Sequence, residues 1–245
     1  MCDNNKTDIH THIISGVDDG AQNQEQMIQM LLTAKEQGIN RIVATPHCYP
    51  GKNRYDLSYI QKCFQIAKNA ALEIGIEMYL GSEVFYRYGL AEEIEKGEVL
   101  TMADSSYILV EFSPETSYRK IYEGLRELVQ SGYRPILAHM ERYTELFEFS
   151  QRRDELRKNG VHFQINASGI LGGFFDKRSR KILKMIQNGE VSFLASDAHN
   201  NSSRKNRLGE AAGFLQKKVE PRVLDAIVRH NAQCIIDNKP LANLL

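Results

Sequence analysis

Along the chain, short runs of apolar and β-branched residues alternate with longer stretches whose apolar positions recur every three or four residues. The short runs read as strands and the longer ones as helices, because side chains alternate across a strand but return to one helix face every 3.6 residues. Seven strands are predicted: Thr7–Ile14, Asn40–His47, Glu77–Phe85, Tyr107–Phe112, Arg134–Met140, Val161–Ala167 and Val191–Ser196. Between them the pattern predicts helices over Asn23–Gln37, Asp56–Ile74, Ala91–Lys96, Tyr118–Gln130, Thr144–Lys158 and Phe174–Gln187, with two more, Arg207–Lys218 and Pro221–His230, closing the chain. Gly38, Gly75, Gly132, Gly160 and Gly189 each follow a helical pattern, where a left-handed cap favours glycine.

Strands regularly separated by helices predict a parallel sheet with crossovers. Ile108–Val110 and Pro135–Ala138 are apolar throughout, as expected when helices cover one face and packed side chains the other. Seven repeats without a linker or compositional break predict a single domain over residues 1–245, folded as one closed or nearly closed α/β barrel. A doubly wound open sheet is the alternative.

Composition narrows the setting. Of 245 residues, 42% are hydrophobic and 25% charged, the profile of an ordinary globular protein. A formal net charge of zero gives no basic surface for nucleic acid as the main partner. No run approaches the eighteen apolar residues of a membrane span, and the N-terminal MCDNNKTDIH lacks the pattern of a secretory signal, so a cytoplasmic protein is expected. Cys2, Cys48, Cys63 and Cys234 match neither a zinc module nor a disulfide framework in their spacing.

The chemistry gathers where strands end. The first run ends in Asp8-Ile9-His10-Thr11-His12, and alternation puts His10 and His12 on one face. The second ends at His47, the third at Glu83, the fourth at Glu111 and the fifth at His139; the seventh runs into Asp197-Ala198-His199. In an α/β barrel these ends share one rim, where active sites are built. A lone histidine at a strand end is more often structural than a ligand, but six of seven strands carrying such a group is a pattern. Three carboxylates crowded on one rim also repel one another unless cations neutralise them. Imidazole with carboxylate, and no thiolate, suits manganese, iron or zinc. His162, at the start of a strand, and His230, at the end of a late helix, fall outside the pattern.

The segments DIHTHI, DDG, TPH, GSE, VEF, AHMERY and SDAH resemble the polymerase and histidinol phosphatase (PHP) superfamily, from about Thr7 to the C-terminus. DDG, AHMERY, QINASGILG and SDAHN are closest to the capsule-regulating, metal-dependent protein-tyrosine phosphatases of Gram-positive bacteria. The resemblance implies a distorted seven-stranded (β/α)7 TIM-like barrel with up to three ions, usually assigned to manganese. It implies that His10, His12, Glu83 and Asp197 hold one ion, that Glu83 bridges to a second held by Glu111 and His139, and that Asp19, His47 and His199 hold the third. From the residues alone, Asp18 is as good a candidate as Asp19. The resemblance also places Arg142 of AHMERY, and Arg204 after SDAHN, beside the phosphate.

Such a site suits a phosphate monoester. Clustered divalent ions lower the pKa of bound water and clamp the attacking and leaving oxygens. Arg142 would add planar, charge-assisted hydrogen bonds to the phosphoryl group. His199 and Asp197 are equal candidates to protonate the leaving oxygen. The family's partner is a tyrosine-phosphorylated protein, with a tyrosine kinase of polysaccharide assembly as the expected substrate.

One rival signature overlaps the pattern. His47-Cys48-Tyr49-Pro50-Gly51-Lys52-Asn53-Arg54 matches HCxxGxxR of cysteine-dependent tyrosine phosphatases, in which a thiolate attacks phosphorus and loop amides with Arg54 bind the oxygens. Pro50 removes one amide from that loop, Tyr55 stands where those enzymes place a hydroxyl, and the reading leaves the other histidines unexplained. Lys52 or Arg54 could instead steer phosphate towards the metals. Two further alternatives are a phosphoesterase for a small molecule such as histidinol phosphate, and a non-catalytic, metal-stabilised binding module. Tyr49, Tyr55, Tyr86 and Tyr88 are candidates to flank a ring-accepting cleft.

Overall fold

The computed structural model describes residues 5–51, 56–173 and 176–242. Its strands are β1 (Lys6–Asp8), β2 (Ile39–Ala44), β3 (His47–Cys48), β4 (Glu77–Leu80), β5 (Glu83–Phe85), β6 (Tyr107–Glu111), β7 (Arg134–Leu137), β8 (His162–Asn166) and β9 (Phe193–Ala195). All pair in parallel, in the orders β1-β2-β4 and β3-β5-β6-β7-β8-β9. The seven predicted runs thus become nine strands. The second run breaks at Thr45-Pro46, where proline has no N–H for the ladder. The third breaks at Gly81-Ser82, and a Cβ on Gly81 would stand 2.9 Å from the Met102 sulfur.

The fold is an α/β fold with a curled parallel sheet. Beyond β9, the Asp197 amide donates to the His10 carbonyl (2.8 Å), and the His12 amide donates to the Ala198 carbonyl (2.9 Å). A parallel bridge joins Thr11 to Ala198. The last run therefore meets the first at the upper rim.

Side-chain alternation sorts the interior into two clusters. On β6, Ile108 and Val110 join the larger cluster, whereas Tyr107 and Leu109 join a smaller one with Val43, Ile136, Phe193 and Ala195. Continuing the second phase reaches Glu111 at the end of β6, after Leu109, and Asp197 just past β9, after Ala195. The same alternation that packs the core delivers these two carboxylates to the rim.

Most helices follow their sequence signals. In α1 (Gln24–Glu36), Asn23 caps the first turn by accepting from the Gln26 amide. In α2 (Leu57–Ile74), Asp56 accepts from the Tyr59 amide, and Gly75 ends the helix with φ +77°. Then come α3 (Leu90–Glu95) and α4 (Tyr118–Gln130), which buries Ile121, Leu125 and Leu128. The helix predicted over Thr144–Lys158 divides at Phe149 into α5 (Thr144–Glu148) and α6 (Ser150–Lys158). Next are α7 (Lys177–Gln187), α8 (Leu208–Leu215) and α9 (Pro221–Asp225). A π-turn, Ala226–His230, leads into α10 (Asn231–Ile236), which the sequence pattern did not predict. Among the described residues, no helix is long and apolar enough to cross a membrane.

His230 is exposed, and His162 lies low in β8, its ring against Tyr107 (5.8 Å) and edge-on to Phe193 (6.4 Å). Burial, reinforced by the charges of Arg134 and Arg157, pushes the His162 pKa down to about 4. Unfolded histidine titrates near 6.5, so between about 6.5 and about 4 the unfolded chain takes a proton that the fold refuses. Stability is therefore lost as pH falls through that window and is unaffected by this group above it. Denaturant unfolding of His162→Gln should show a smaller drop between pH 7.5 and pH 5 than the parent; equal drops would contradict this.

Candidate metal centre

Glu83, at the start of β5, is 1% exposed and lies against four imidazoles. Its Oε2 is 3.2 Å from His10 Nε2, 3.2 Å from His12 Nε2 and 3.1 Å from His47 Nδ1. Its Oε1 is 2.8 Å from His139 Nε2. Burial alone would raise its pKa, but His10, and then His12 and His139, hold it well below the usual carboxylate range.

Around this carboxylate the ligand-type atoms fall into three overlapping groups. His10, His12, Glu83 and Asp197 form the first, His47, Glu83 and Glu111 the second, and His12, Asp19, His47 and His199 the third; within each group the atoms lie within 4.8 Å of one another. The eight residues singled out at the rim, and Asp19 from the resemblance, are brought together. The expected second set differs in one respect: His47 closes the group with Glu83 and Glu111, while His139 Nε2 stands 2.8 Å from Glu83 and 3.5 Å from Glu111.

The choice between Asp18 and Asp19 has a geometric answer. Asp18 Oδ2 accepts from the His47 amide (3.0 Å) and lies 2.7 Å from His12 Nδ1, and Oδ1 accepts from the Gly20 amide (2.9 Å). Burial opposes its ionisation, yet His12 and these amides bring its pKa down to about 2. An ionised carboxylate only accepts, so His12 Nδ1 carries the hydrogen and Nε2 faces Glu83. Asp18 orients the His12 ring, and it is Asp19, 61% exposed, that reaches His47 (3.4 Å) and His199 (3.3 Å).

Charge and hydrogen bonding both fit divalent cations. His47 Nδ1 and His199 Nε2 are buried without a hydrogen-bond partner among the described residues, although each stands within 3.4 Å of a carboxylate oxygen. Such orphaned nitrogens beside anions suit a shared cation. The carboxylates otherwise draw protons into the site. Burial would strip His12 and His139, but Asp18 and Glu83 raise His12 to about 10, and Glu111 and Glu83 raise His139 to about 9. Burial and the charge of His12 lower His199 to about 4.

Two site residues have left-handed backbones without being glycine: His139 at φ +34° and Asp197 at φ +53°. Each such conformation costs about 1–3 kcal/mol and persists only where surrounding contacts enforce it. Asp197 is held on both oxygens. Arg142 donates to Oδ2 (2.8 Å), as does the Asn166 amide (2.7 Å), and Arg204 donates to Oδ1 (3.1 Å). The two arginine side chains, 40% and 41% exposed, thus reach from solvent to the edge of the ligand groups.

The rival thiolate is misplaced. Cys48 is 3% exposed, lies in β3 and packs in the larger hydrophobic cluster, so alternation turns it away from the face that carries His47. Lys52, Arg54 and Tyr55 lie outside the described residues. Tyr49 packs against His47 (5.5 Å) and Phe85 (5.8 Å). Tyr86 and Tyr88 line a cavity of about 660 Å³ with Phe85, Phe112 and α4, next to Glu111. Sequence reasoning passed over Gln164 and Asn166, two buried amides of β8 that touch the ligand residues.

A parallel α/β sheet whose rim carries overlapping His/Asp/Glu groups flanked by arginines defines a metallohydrolase-type centre. Residues 6–237 match the family described as "Capsular polysaccharide synthesis, CpsB/CapC", and the chain belongs to that family and, with it, to the PHP superfamily. It is 32% identical to the tyrosine-protein phosphatase CpsB of Streptococcus pneumoniae, over 94% of this chain and 97% of the relative. It is 30% identical to the tyrosine-protein phosphatase YwqE of Bacillus subtilis, over 96% and 92%. A solved structure from work on YwqE and CpsB, described as unique metal-dependent tyrosine phosphatases, superposes with a TM-score of 0.86, 27% identity and 96% coverage of both chains. An amidohydrolase from Mycoplasma synoviae, at 15% identity and a TM-score of 0.62 over 94% of this chain and 87% of its own, shares the fold.

The DDG motif gains a steric role. A Cβ on Gly20 would lie 1.9 Å from the His12 carbonyl oxygen, which also accepts from the Ala21 amide (3.0 Å). Gly20→Ala should displace His12, cost about 1–3 kcal/mol of stability and lower the metal content of the purified protein. Parent-like metal content, read by elemental analysis, would contradict this.

Proposed function

We propose that the chain is one metal-dependent protein-tyrosine phosphatase domain that acts in the cytoplasm on a tyrosine-phosphorylated protein, with a tyrosine kinase of polysaccharide assembly as the favoured partner. The observation that carries this reading is Asp197, which belongs to a ligand group and is clasped by Arg142 and Arg204. A phosphoryl group entering there meets cation sites on one side and two guanidinium groups on the other. We read the nine curled parallel strands as the seven runs of a distorted (β/α)7 barrel, with its site at the strand ends.

In this reading His10, His12, Glu83 and Asp197 hold one ion, Glu83, Glu111 and His139 a second, with His47 at its edge, and Asp19, His47 and His199 the third. Manganese is the favoured metal, with iron and zinc as alternatives. Divalent ions held there supply Lewis acidity towards the phosphoryl oxygens and acidify water. The protein's own residues do the rest. Arg142 and Arg204 orient the phosphoryl oxygens through charge-assisted hydrogen bonds. Glu83 and Asp18 keep the imidazoles turned inward.

The proton-donor role expected of His199 or Asp197 finds little support. Asp197 sits between two guanidinium groups, and burial is outweighed by neighbouring cationic groups, His10 first, so its pKa falls below the carboxylate range. His199 Nδ1 lies 3.0 Å from the Asp197 carbonyl, so it carries the ring hydrogen and leaves Nε2 as a lone pair facing Asp19. Both are better suited to ligation. Phenolate, a fair leaving group, needs less acid assistance than an alkoxide, which matches a tyrosine substrate. The aromatic cavity beside Glu111 offers room for the polypeptide around the phosphotyrosine.

Hydrolysis of a phosphotyrosine peptide should be abolished by chelation and cut at least about 10²-fold by His139→Ala, while Cys48→Ser retains it. The reverse pattern would restore the thiolate mechanism. Arg142→Lys should lower kcat/KM about ten- to a hundredfold, the scale of a lost hydrogen bond to a charged group. Faster turnover of histidinol phosphate than of the peptide would favour the small-molecule reading.

A further inference from the structure

Two amides on β8, Gln164 and Asn166, are 0% and 7% exposed and lie on the same face of the strand. Gln164 Oε1 accepts from the His139 backbone amide (2.7 Å) and lies 3.1 Å from His10 Nδ1. Gln164 Nε2 donates to Asn166 Oδ1 (2.9 Å), and Asn166 Nδ2 donates to Asp197 Oδ2 (2.7 Å). A chain of three hydrogen bonds therefore joins the fifth, sixth and seventh strand runs beneath the ligand groups.

Its two ends fix its direction. A backbone N–H can only donate, and an ionised carboxylate can only accept. Between such ends the two amides have a single fully bonded orientation, with each oxygen towards His139 and each nitrogen towards Asp197. Flipping either one would set donor against donor or acceptor against acceptor inside the protein, at a cost of about 1–3 kcal/mol per unmade bond. The orientation has a consequence for His10. Since Gln164 presents an oxygen to it, Nδ1 must carry the hydrogen, which leaves Nε2, 3.2 Å from Glu83, as the lone pair facing the site.

We infer that Gln164 and Asn166 are positioning residues, a polarity relay that runs from the left-handed His139 peptide to Asp197 and sets the ring tautomer of His10. This rests on the metal-centre reading for its benefit to metal binding, but not for the tautomer. Both termini of the relay are site residues with left-handed, non-glycine backbones, and the two bonds tie the His139 peptide and the Asp197 carboxylate to one strand. An amide is suited to this task and a carboxylate is not, because only an amide passes an acceptor on one side into a donor on the other.

The test compares the full-length protein with Gln164→Met and Asn166→Ala. The His10 ring nitrogens are read by 15N NMR of metal-free protein across an alkaline pH series, from the spectra of the neutral ring, and Mn2+ affinity by titration against free Mn2+. The parent should show His10 as Nδ1–H only. Gln164→Met should shift part of the ring population to Nε2–H and weaken Mn2+ binding about ten- to a hundredfold, the usual scale for groups that orient metal ligands. Asn166→Ala, which leaves the His139–Gln164 bond in place, should keep the Nδ1–H ring but weaken Mn2+ binding. A Gln164→Met protein with the parent's tautomer, or with the parent's Mn2+ affinity, overturns the proposal. If Gln164→Met does not fold, Asn166→Ala decides, and parent-like affinity there overturns it. A parent protein that binds no Mn2+ would count against the metal-centre reading, while the tautomer comparison still decides the relay.

Discussion

The organisation of this protein depends on one buried carboxylate. Glu83 is almost wholly excluded from water, and four imidazoles from three strand runs approach it within 3.2 Å. An isolated carboxylate in such a place would be neutralised by protonation. Instead it stays ionised because cationic partners surround it. That requirement links the rim: His10 and His12 leave β1, His47 opens β3 and His139 follows β7, and each must arrive with a nitrogen turned inward. Divalent cations meet the same requirement with more charge and fixed geometry, which is why a site built this way is suited to bind and activate a phosphate dianion.

The scaffold delivers those nitrogens by ordinary means and then departs from them locally. Alternation on β6 and β9 carries Glu111 and Asp197 to the inner phase above Leu109 and Ala195. The breaks at Thr45-Pro46 and Gly81-Ser82 start short new strands, β3 and β5, whose first residues are His47 and Glu83. Left-handed peptides at His139 and Asp197 turn the chain at two more site positions. Side chains outside the three groups brace the site: Asp18 beside His12, Gln164 beneath His10 and His139, Asn166 and the two arginines around Asp197.

Much of this was legible in the sequence, for definite reasons. The strand runs and most helix limits follow from period and capping: Asn23, Asp56 and Gly75 bound α1 and α2 where their side chains or backbones require. The eight strand-end residues stand out because histidine and carboxylate are rare at the ends of apolar runs, and ordered repetition is hard to reach by chance; Asp19 came only from the family resemblance. The oriented shell was not legible. Glutamine in QINASG looks like any polar residue on a half-buried strand, and only tertiary pairing reveals that its neighbours are a donor on one side and a route to a carboxylate on the other. Asp18 and Asp19 are equal by composition, and the fold separates them by giving Asp18 two backbone amides. The splitting of runs into β2/β3 and β4/β5 escaped because Pro46 and Gly81 interrupt pairing without interrupting the apolar pattern. The HCxxGxxR match, already disfavoured by Pro50 and Tyr55 in the sequence, has a further obstacle in the fold, since alternation buries Cys48 in the hydrophobic cluster.

The central claim is that the three overlapping groups around Glu83 are a polynuclear metal centre. Anomalous diffraction from crystals grown with Mn2+, collected on either side of the manganese edge, tests it directly. The account predicts manganese peaks inside the groups His10/His12/Glu83/Asp197, Glu83/Glu111/His139 and Asp19/His47/His199. A map with no anomalous peak within coordination distance of Glu83 would contradict it.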